Sequence, residues 1–433
     1  MEGHRRDAGL VRAVGPWDLA ASIVNCVVGA SIFVAPAVLA GNIGTLAPLA
    51  FLVGAFVVGA VAICFAEAGS RVPTSGGAYG YVEAAFGPLA GFIAGLLLWF
   101  SNVLACGGIA AAFADMMVRT LPPPLMAPVR VVVIVGAIGA LALVNIGGVA
   151  RATWLINATT LLKLIPLAVF VVLGAGAIHS ANLVATAAPS MEGVGRALIL
   201  ILFALSGMEI SLCASGEVVR PARTIPRALA IAMLSVALLY ATIQLIAQGI
   251  LGAALAHSNA PLADAMARVA PGLQLLMVIG AAVSMFGILG SEILCSPRIL
   301  YGLARDGLLP RMLGRLHTKH HSPHIAILCH SALAIGLALT GTFAELAVLS
   351  GLAIAPLYIA GCAAAWMLAR RQVALAGEPL NFRWLVPAAV IGIASMLTLI
   401  ALASRVQILG LLAILGASAL AYVLQSRTAL ARR

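Results

Sequence analysis

Long apolar stretches alternate with short polar ones along all 433 residues of the chain. A helix that crosses a bilayer needs about 20 apolar residues, and by that measure the chain has twelve such segments. Their approximate bounds are 17–40, 46–68, 87–118, 129–147, 152–177, 193–216, 226–252, 272–304, 324–342, 344–369, 384–403 and 406–425. Segments 3 and 8 are longer than a bilayer requires, so we expect them to tilt or extend beyond it. The pattern predicts an all-α polytopic membrane protein with 12 transmembrane helices.

Composition supports this class. The chain is 63% hydrophobic and only 9% charged, more apolar surface than a soluble fold of this size needs. The first segment is too long for a signal peptide and lacks a cleavage site made of small residues, so we expect it to remain in the protein.

The distribution of Lys and Arg predicts the topology. With the N-terminus inside, the inner stretches hold nineteen of these residues and the outer stretches hold five, while Lys163 lies within a helix. This asymmetry predicts cytoplasmic tails at 1–16 and 426–433. It also accounts for the basic charge balance without nucleic acid as a partner.

Two of the segments contain small residues at mid-depth. Segment 1 has Gly29, Ala30 and Ser31, followed by Pro36, and segment 6 has a similar run at 203–209 that ends in an acid. Unpaired backbone at that depth is tolerated only where it lines a cavity or is buried in protein. Corresponding interruptions in two halves of a chain are typical of a transporter binding site. The alternative is two unrelated packing glycines.

The spacing of the interruptions suggests an internal repeat. They stand five helices apart, and an odd number of helices per repeat gives the two halves opposite orientations. We therefore expect an inverted pair of repeats, helices 1–5 at 17–177 and helices 6–10 at 193–369. Helices 11 and 12, at 384–425, would then be an addition.

Three ionisable residues, Lys163, Glu209 and Glu292, lie within apolar segments, at a cost of at least about 2.5 kcal/mol each. Lys163 can exchange a proton. The alternative, that it snorkels to the surface, is disfavoured because it lies about 18 Å along its helix. Glu209 holds the unwound backbone, titrates with the transport cycle or does both, and the alternative is a purely structural carboxylate that caps the new helix start. Glu292 faces either the substrate or water.

The interruptions also suggest a substrate class. The N-terminus of a half-helix suits a carboxylate, and its C-terminus presents carbonyls that suit an ammonium group. The candidate donors are Ala30, Ser31 and Ile32, and the candidate acceptors are Val27, Phe203 and Ser206. Such a site suits an α-amino acid, with Phe203 either a lid over it or an ordinary core residue. The predicted substrate-binding residues are Val27, Gly29, Ala30, Ser31, Ile32, Phe203, Ser206, Gly207 and Glu292, and the predicted proton-coupling residues are Lys163 and Glu209.

Four motifs, in this order, resemble those of the amino acid–polyamine–organocation (APC) superfamily of transporters, of the amino acid permease type, over about residues 15–370. They are Gly29-Ala30-Ser31-Ile32-Phe33; Pro73-x-Ser75-Gly76-Gly77-x-Tyr79-x-Tyr81 with Phe86-Gly87-Pro88; Gly207-Met208-Glu209 with Glu217-Val218-Val219-Arg220-Pro221; and Ser296-Pro297-Arg298-Ile299-Leu300-Tyr301 with Ala304-Arg305-Asp306-Gly307.

The resemblance implies a five-plus-five inverted repeat (the LeuT-like fold) with helices 1 and 6 broken and two extra C-terminal helices. It implies a secondary active transporter in the cell inner (plasma) membrane that moves amino acids by alternating access. Lys163 matches a helix 5 lysine that replaces a sodium ion in proton-coupled members, which favours proton coupling or exchange. Phe203 and Glu209 match a gating aromatic and an acid of the family.

Two positions depart from the family pattern. Ser31 stands where the family has a second glycine, which makes the carboxylate pocket tighter or adds a hydroxyl contact. Glu292 stands near an aromatic of some relatives, where an acid attracts a cationic substrate end or holds the proton. With Glu209, it leaves open a polyamine or cationic amino acid exchanger as the alternative function.

Two further classes fit less well. A non-transporting amino acid sensor usually has a long signalling tail, and we expect only short tails here. An intramembrane enzyme needs a nucleophile and base or a metal cluster at depth, but only His330 of the eight histidines lies well inside a segment. We therefore expect no enzyme activity, cofactor or metal.

The seven cysteines all lie within apolar segments and show no paired spacing. We therefore expect them to be buried small hydrophobes, with no disulfide-linked heavy chain. The expected partners are an amino acid substrate, protons and membrane lipid, and the expected state is a monomer or homodimer.

Overall fold

The computed structural model describes residues 14–72, 77–119, 121–184, 188–212, 218–375 and 378–430. Several predicted features lie partly outside these residues: most of the N-terminal tail, the loop motif at 73–76, the turn at 213–217 that includes Glu217, and the last three residues. Within the described part every regular element is a helix, apart from one isolated parallel bridge between Val14 and Val218.

The helices follow one another with short connections. The α-helices are α1 (Pro16–Val27), α2 (Ser31–Ile43), α3 (Ala47–Arg71), α4 (Gly77–Phe86), α5 (Pro88–Val118), α6 (Pro123–Ile146), α7 (Val149–Gly174), α8 (Met191–Leu205), α9 (Met208–Ser211), α10 (Pro221–Leu251), α11 (Pro261–Val269), α12 (Gln274–Cys295), α13 (Pro297–Arg305), α14 (His324–Thr340), α15 (Phe343–Arg370), α16 (Leu385–Ala401) and α17 (Arg405–Leu430). Short 3₁₀ turns lie between some of them.

Seven helical stretches of the described residues are long and apolar enough to cross a membrane, or eight if the bent pair α16 and α17 forms one span. The protein is therefore a polytopic helical membrane protein. Each of the twelve predicted segments lies on a helix or a pair of helices, but the count of twelve crossings stays a prediction.

Two expectations about helix length had different outcomes. Segment 3 is one long helix, the 31-residue α5. Segment 8 is two helices, because α12 ends at Cys295 and Pro297 begins α13. A proline fits the first turn of a helix, where its missing N–H would have had no partner.

The helices at the centre of the bundle are buried on most sides. Helix α5 packs against α15, and α3 packs against α10.

A capping box begins α15, in which Thr342 Oγ1 accepts from Glu345 N and the Glu345 carboxylate accepts from Thr342 N. This pairing satisfies backbone donors that a helix start leaves open.

Both predicted interruptions are present. Helix α1 ends at Val27 and α2 begins at Ser31, so residues 28–30 form the first interruption, which we call break 1. Helix α8 ends at Leu205 and α9 begins at Met208, so Ser206 and Gly207 form break 2. Pro36 lies inside α2 and does not end it.

The expectation that all cysteines are buried is wrong for Cys329, whose side chain is exposed on α14. This helix packs inward through Ala326, His330 and Ala334, and Cys329, the residue before His330, lies about 100° around the helix from it, at the edge of that face. An apolar segment cannot by itself show which face meets the protein and which meets lipid.

Candidate functional site

Break 1 leaves the last carbonyls of α1 without partners in the helix. Lys163 of α7 reaches them: its Nζ donates to Asn25 O at 2.9 Å, to Asn25 Oδ1 at 2.6 Å and to Val28 O. Only 3% of the Lys163 side chain is exposed. A buried cation therefore binds three oxygens at a helix C-terminus, where the helix dipole favours positive charge.

Side chains of two other helices bind further oxygens of break 1. Tyr240 Oη of α10 donates to Val27 O at 2.8 Å and lies 3.1 Å from Ser31 Oγ. Because a tyrosine hydroxyl has one proton, Ser31 is the donor in the second bond. Ser284 Oγ of α12 donates to Gly29 O at 3.1 Å. The hydroxyl at Ser31, where the family has glycine, thus binds α10.

Break 2 is satisfied mainly by its own residues. Ser206 donates to Phe203 O through Oγ at 2.7 Å and through its backbone N at 3.2 Å. Gly207 N donates to both carboxylate oxygens of Glu209, at 3.0 and 3.1 Å. Tyr358 Oη of α15 donates to Glu209 Oε2 at 2.9 Å. Glu209 therefore caps the start of α9, one of its two predicted roles.

The two breaks touch each other. Gly207 has φ +120°, and a Cβ added there would lie 3.0 Å from Cys26 O and 3.3 Å from Val27 N. Only glycine combines that backbone angle with so close an approach of another backbone. The contact brings the C-terminus of α1 next to the start of α9.

A cavity of about 40 Å³ lies between the breaks. The predicted site residues in its wall are Val27, Gly29, Ala30, Ser31, Phe203, Ser206, Gly207, Glu209 and Glu292. Ile32 and Lys163 are not part of the wall that the described residues form. The structure thus brings residues from three distant segments of the sequence to one small space.

Glu292 enters this wall from α12. It is 6% exposed, and its Oε2 accepts from Ser296 Oγ at 2.8 Å one helical turn later. A buried carboxylate with a hydroxyl donor beside it gives the cavity an acidic side.

Three polar residues of the wall were missed from the sequence: Ser101 and Asn102 of α5 and Ser350 of α15. The signal for the first two is that they form the one adjacent polar pair in the apolar middle of α5. The packing of α5 against α15 is what turns these side chains toward the cavity.

A second, larger cavity of about 310 Å³ lies beside α2, α11 and the end of α5, with Phe343 in its wall. The rings of Phe343 and Phe203 meet edge to face with centroids 6.0 Å apart. Since Phe203 lines the central cavity and Phe343 the larger one, this aromatic pair lies between the two spaces.

A family model described as amino acid permease matches residues 14–427. This chain belongs to the amino acid permease family. It is 34% identical over 338 residues to an uncharacterised transporter of Mycobacterium tuberculosis, covering 76% of this chain and 74% of that protein. The other similar proteins are also transporters, which makes this permease an amino acid transporter of the membrane and not an enzyme.

Two similar proteins have named substrates. The permease is 27% identical over 382 residues to the serine/threonine exchanger SteT of Bacillus subtilis, covering 85% of this chain and 86% of SteT. It is 30% identical over 349 residues to the human large neutral amino acids transporter small subunit 2, covering 76% of this chain and 64% of the human protein.

Proposed function

We propose that this permease holds one α-amino acid between break 1 and break 2 and moves it across the membrane by alternating access. The observation that carries the proposal is the contact between the breaks at Gly207 and Cys26, beside one cavity that both breaks line. A ligand in that cavity meets a helix N-terminus and a helix C-terminus at once.

The carboxylate of the substrate binds at the start of α2. The first N–H groups of a helix have no acceptor within it, and at this helix they belong to Ala30, Ser31 and Ile32. The positive end of the helix dipole adds to their attraction for an anion. The hydroxyl of Ser31 donates to Tyr240, so Ser31 meets the carboxylate through its backbone.

The ammonium group binds at the ends of α1 and α8. Val27 O accepts bonds from Gly29 N and Tyr240 Oη, and Phe203 O accepts two from Ser206. Of the three predicted acceptors, the carbonyl of Ser206 is therefore the best placed to accept a bond from the substrate.

Lys163 makes transport independent of sodium. Its ammonium group binds three oxygens around break 1, and an ion there would need the same oxygens. We infer that loss and gain of this proton accompany transport, either as proton symport or as part of an exchange cycle.

The gate on the outer side is the pair Phe203 and Phe343. The central cavity is small, and separation of these rings would connect it with the larger cavity beside Phe343. The same proposal includes the position of the protein in its membrane. It has twelve transmembrane helices, with an inverted repeat at 17–177 and 193–369, two further helices at 384–425, and cytoplasmic termini at the inner (plasma) membrane. They are supported by the order of helices and the Lys and Arg asymmetry.

A polyamine exchanger is less well supported. Such a substrate needs two available carboxylates, and Glu209 is already bound by Gly207 N and Tyr358 Oη. Glu292 is then the single acid of the wall for a substrate.

The test is a thermal-shift screen of the purified protein against the amino acids and a set of polyamines, because only ligands of the folded state stabilise it. We expect stabilisation by amino acids, and uptake of the best ligand into sodium-free vesicles. Stabilisation by polyamines alone, or uptake that requires sodium, would overturn the proposal.

A further inference from the structure

Among the described residues that line the central cavity, one buried polar group has no hydrogen-bond partner. Asn102 of α5 is 4% exposed and lines the cavity, and its Nδ2 makes no hydrogen bond to any described residue. Its neighbours do not share this property, because the hydroxyl of Ser101 donates to Ser350 O at 3.0 Å and the hydroxyl of Ser350 donates to Ser101 O at 2.8 Å. A buried amide without a partner is costly, so a ligand group that accepts a bond from this donor would remove that cost.

The same cavity offers an acceptor. Ser296 occupies Oε2 of Glu292, and none of the described hydrogen bonds reaches its Oε1. Neither Asn102 nor Glu292 is needed for the substrate's carboxylate or ammonium group, which the two breaks hold. The described wall therefore offers the Nδ2 donor of Asn102 and the Oε1 acceptor of Glu292 to a substrate side chain.

We propose that Asn102 determines specificity by selecting amino acids whose short side chain ends in a hydroxyl or carboxamide, the class of serine, threonine and asparagine. This inference rests on the proposed function. A hydroxyl or carboxamide accepts from Nδ2 and donates to the carboxylate of Glu292. An aliphatic side chain of equal size displaces water from both groups and replaces none of their bonds. The small cavity disfavours long and aromatic side chains.

The first test uses the unaltered protein and two ligands of the same shape, threonine and valine, which differ by a hydroxyl in place of a methyl. We expect threonine to bind at least about tenfold more tightly, because a site built for a hydroxyl rejects the analogue that lacks it. Equal or tighter binding of valine would overturn the inference while leaving an amino acid site in place. Binding of no amino acid at all would instead overturn the proposed function.

The second test assigns the effect to the residue. In Asn102→Leu the ratio of threonine to valine affinity should fall to about one, because valine should bind more tightly and threonine more weakly. Asn145→Leu is the matched control: Asn145 is equally buried, on α6, and its Nδ2 donates to Leu141 O in its own helix. That variant should keep the unaltered ratio.

An unchanged ratio in Asn102→Leu would overturn the assignment. If that variant does not fold, Asn102→Ser serves instead, because it keeps a donor at shorter reach and should give an intermediate ratio. The threonine and valine comparison in the unaltered protein decides the substrate class in either case.

Discussion

Break 1 and break 2 line the same cavity but differ in where the partners of their backbone groups come from. At break 1 all the side-chain partners come from three other helices, Lys163 of α7, Tyr240 of α10 and Ser284 of α12, beside one local backbone bond from Gly29 N to Val27 O. At break 2 the partners are mostly local, the hydroxyl of Ser206 and the carboxylate of Glu209, joined by one tyrosine of α15.

This difference has a consequence for transport. Movement of α7, α10 or α12 must change the hydrogen bonds of break 1, whereas break 2 can keep its shape as a unit. We therefore expect break 1 to be the part that senses the conformational cycle. Break 2 serves as a preformed wall against which the substrate is held.

The largest effect is expected from Lys163→Ala. The substitution removes the buried cation that binds break 1, so uptake driven by a pH gradient into reconstituted vesicles should fall to background. The fold should survive, since water can take the place of the ammonium group at the three oxygens, and gel filtration would check this. Unchanged pH-driven uptake would remove Lys163 from the coupling mechanism.

Two glycine variants compare the breaks directly. In Gly207→Ala the new Cβ meets a backbone carbonyl at 3.0 Å and the residue keeps φ +120°, a backbone angle that costs an alanine about 1–2 kcal/mol. In Gly29→Ala the new Cβ lies 3.1 Å from Ile288 Cγ1, a side chain that can rotate. Substrate affinity should fall at least about tenfold in the first and no more than about threefold in the second. Similar losses in both binding isotherms would contradict the geometry.

Two tyrosine variants separate binding from stability. Tyr240→Phe removes the donor to Val27 O and the acceptor for Ser31, so binding should weaken about fivefold, the effect of roughly 1 kcal/mol. Tyr358→Phe removes one of the bonds to Glu209 and should change affinity less than about twofold while lowering the Tm. The result that would not fit is a larger loss of affinity in Tyr358→Phe than in Tyr240→Phe.

The smallest effect is expected from Glu292→Gln. The amide keeps the shape of the side chain and an acceptor for Ser296 but removes the negative charge. In competition binding, the affinity for lysine should fall about threefold relative to the affinities for leucine and glutamate, which is the size of a weak charge contact. An identical ranking of the three competitors in the variant would show that Glu292 does not face the substrate.

Much of the fold can be predicted from the sequence, because the lengths of the apolar runs and the small residues within them indicate the helices and their breaks. Twenty-residue apolar runs predict the long helices, and Gly29, Ser31 and Gly207 predict the breaks. Helices α4 and α11 were not predicted, since they are short and fall between apolar runs. Cys329 shows the same limit, because hydrophobicity does not distinguish lipid from protein.

The site was predictable where a residue lies at a break or is a charge within an apolar segment, and not where an uncharged residue reaches the site through packing. Phe203, Glu209 and Glu292 are in the cavity wall, as the interruptions and intramembrane charges suggested. Asn102 and Ser350 were missed because their roles depend on which faces of α5 and α15 turn inward. Both helices are apolar around most of their circumference, so no periodic pattern indicates that face.

The most direct test of the central claim is a cryo-EM map of the permease with saturating L-threonine. We predict density for one molecule between the breaks, with its carboxylate within hydrogen-bond distance of the N–H groups of Ala30, Ser31 and Ile32. Its hydroxyl should face Asn102. Ligand density confined to the larger cavity beside Phe343, with an empty space between the breaks, would contradict the account.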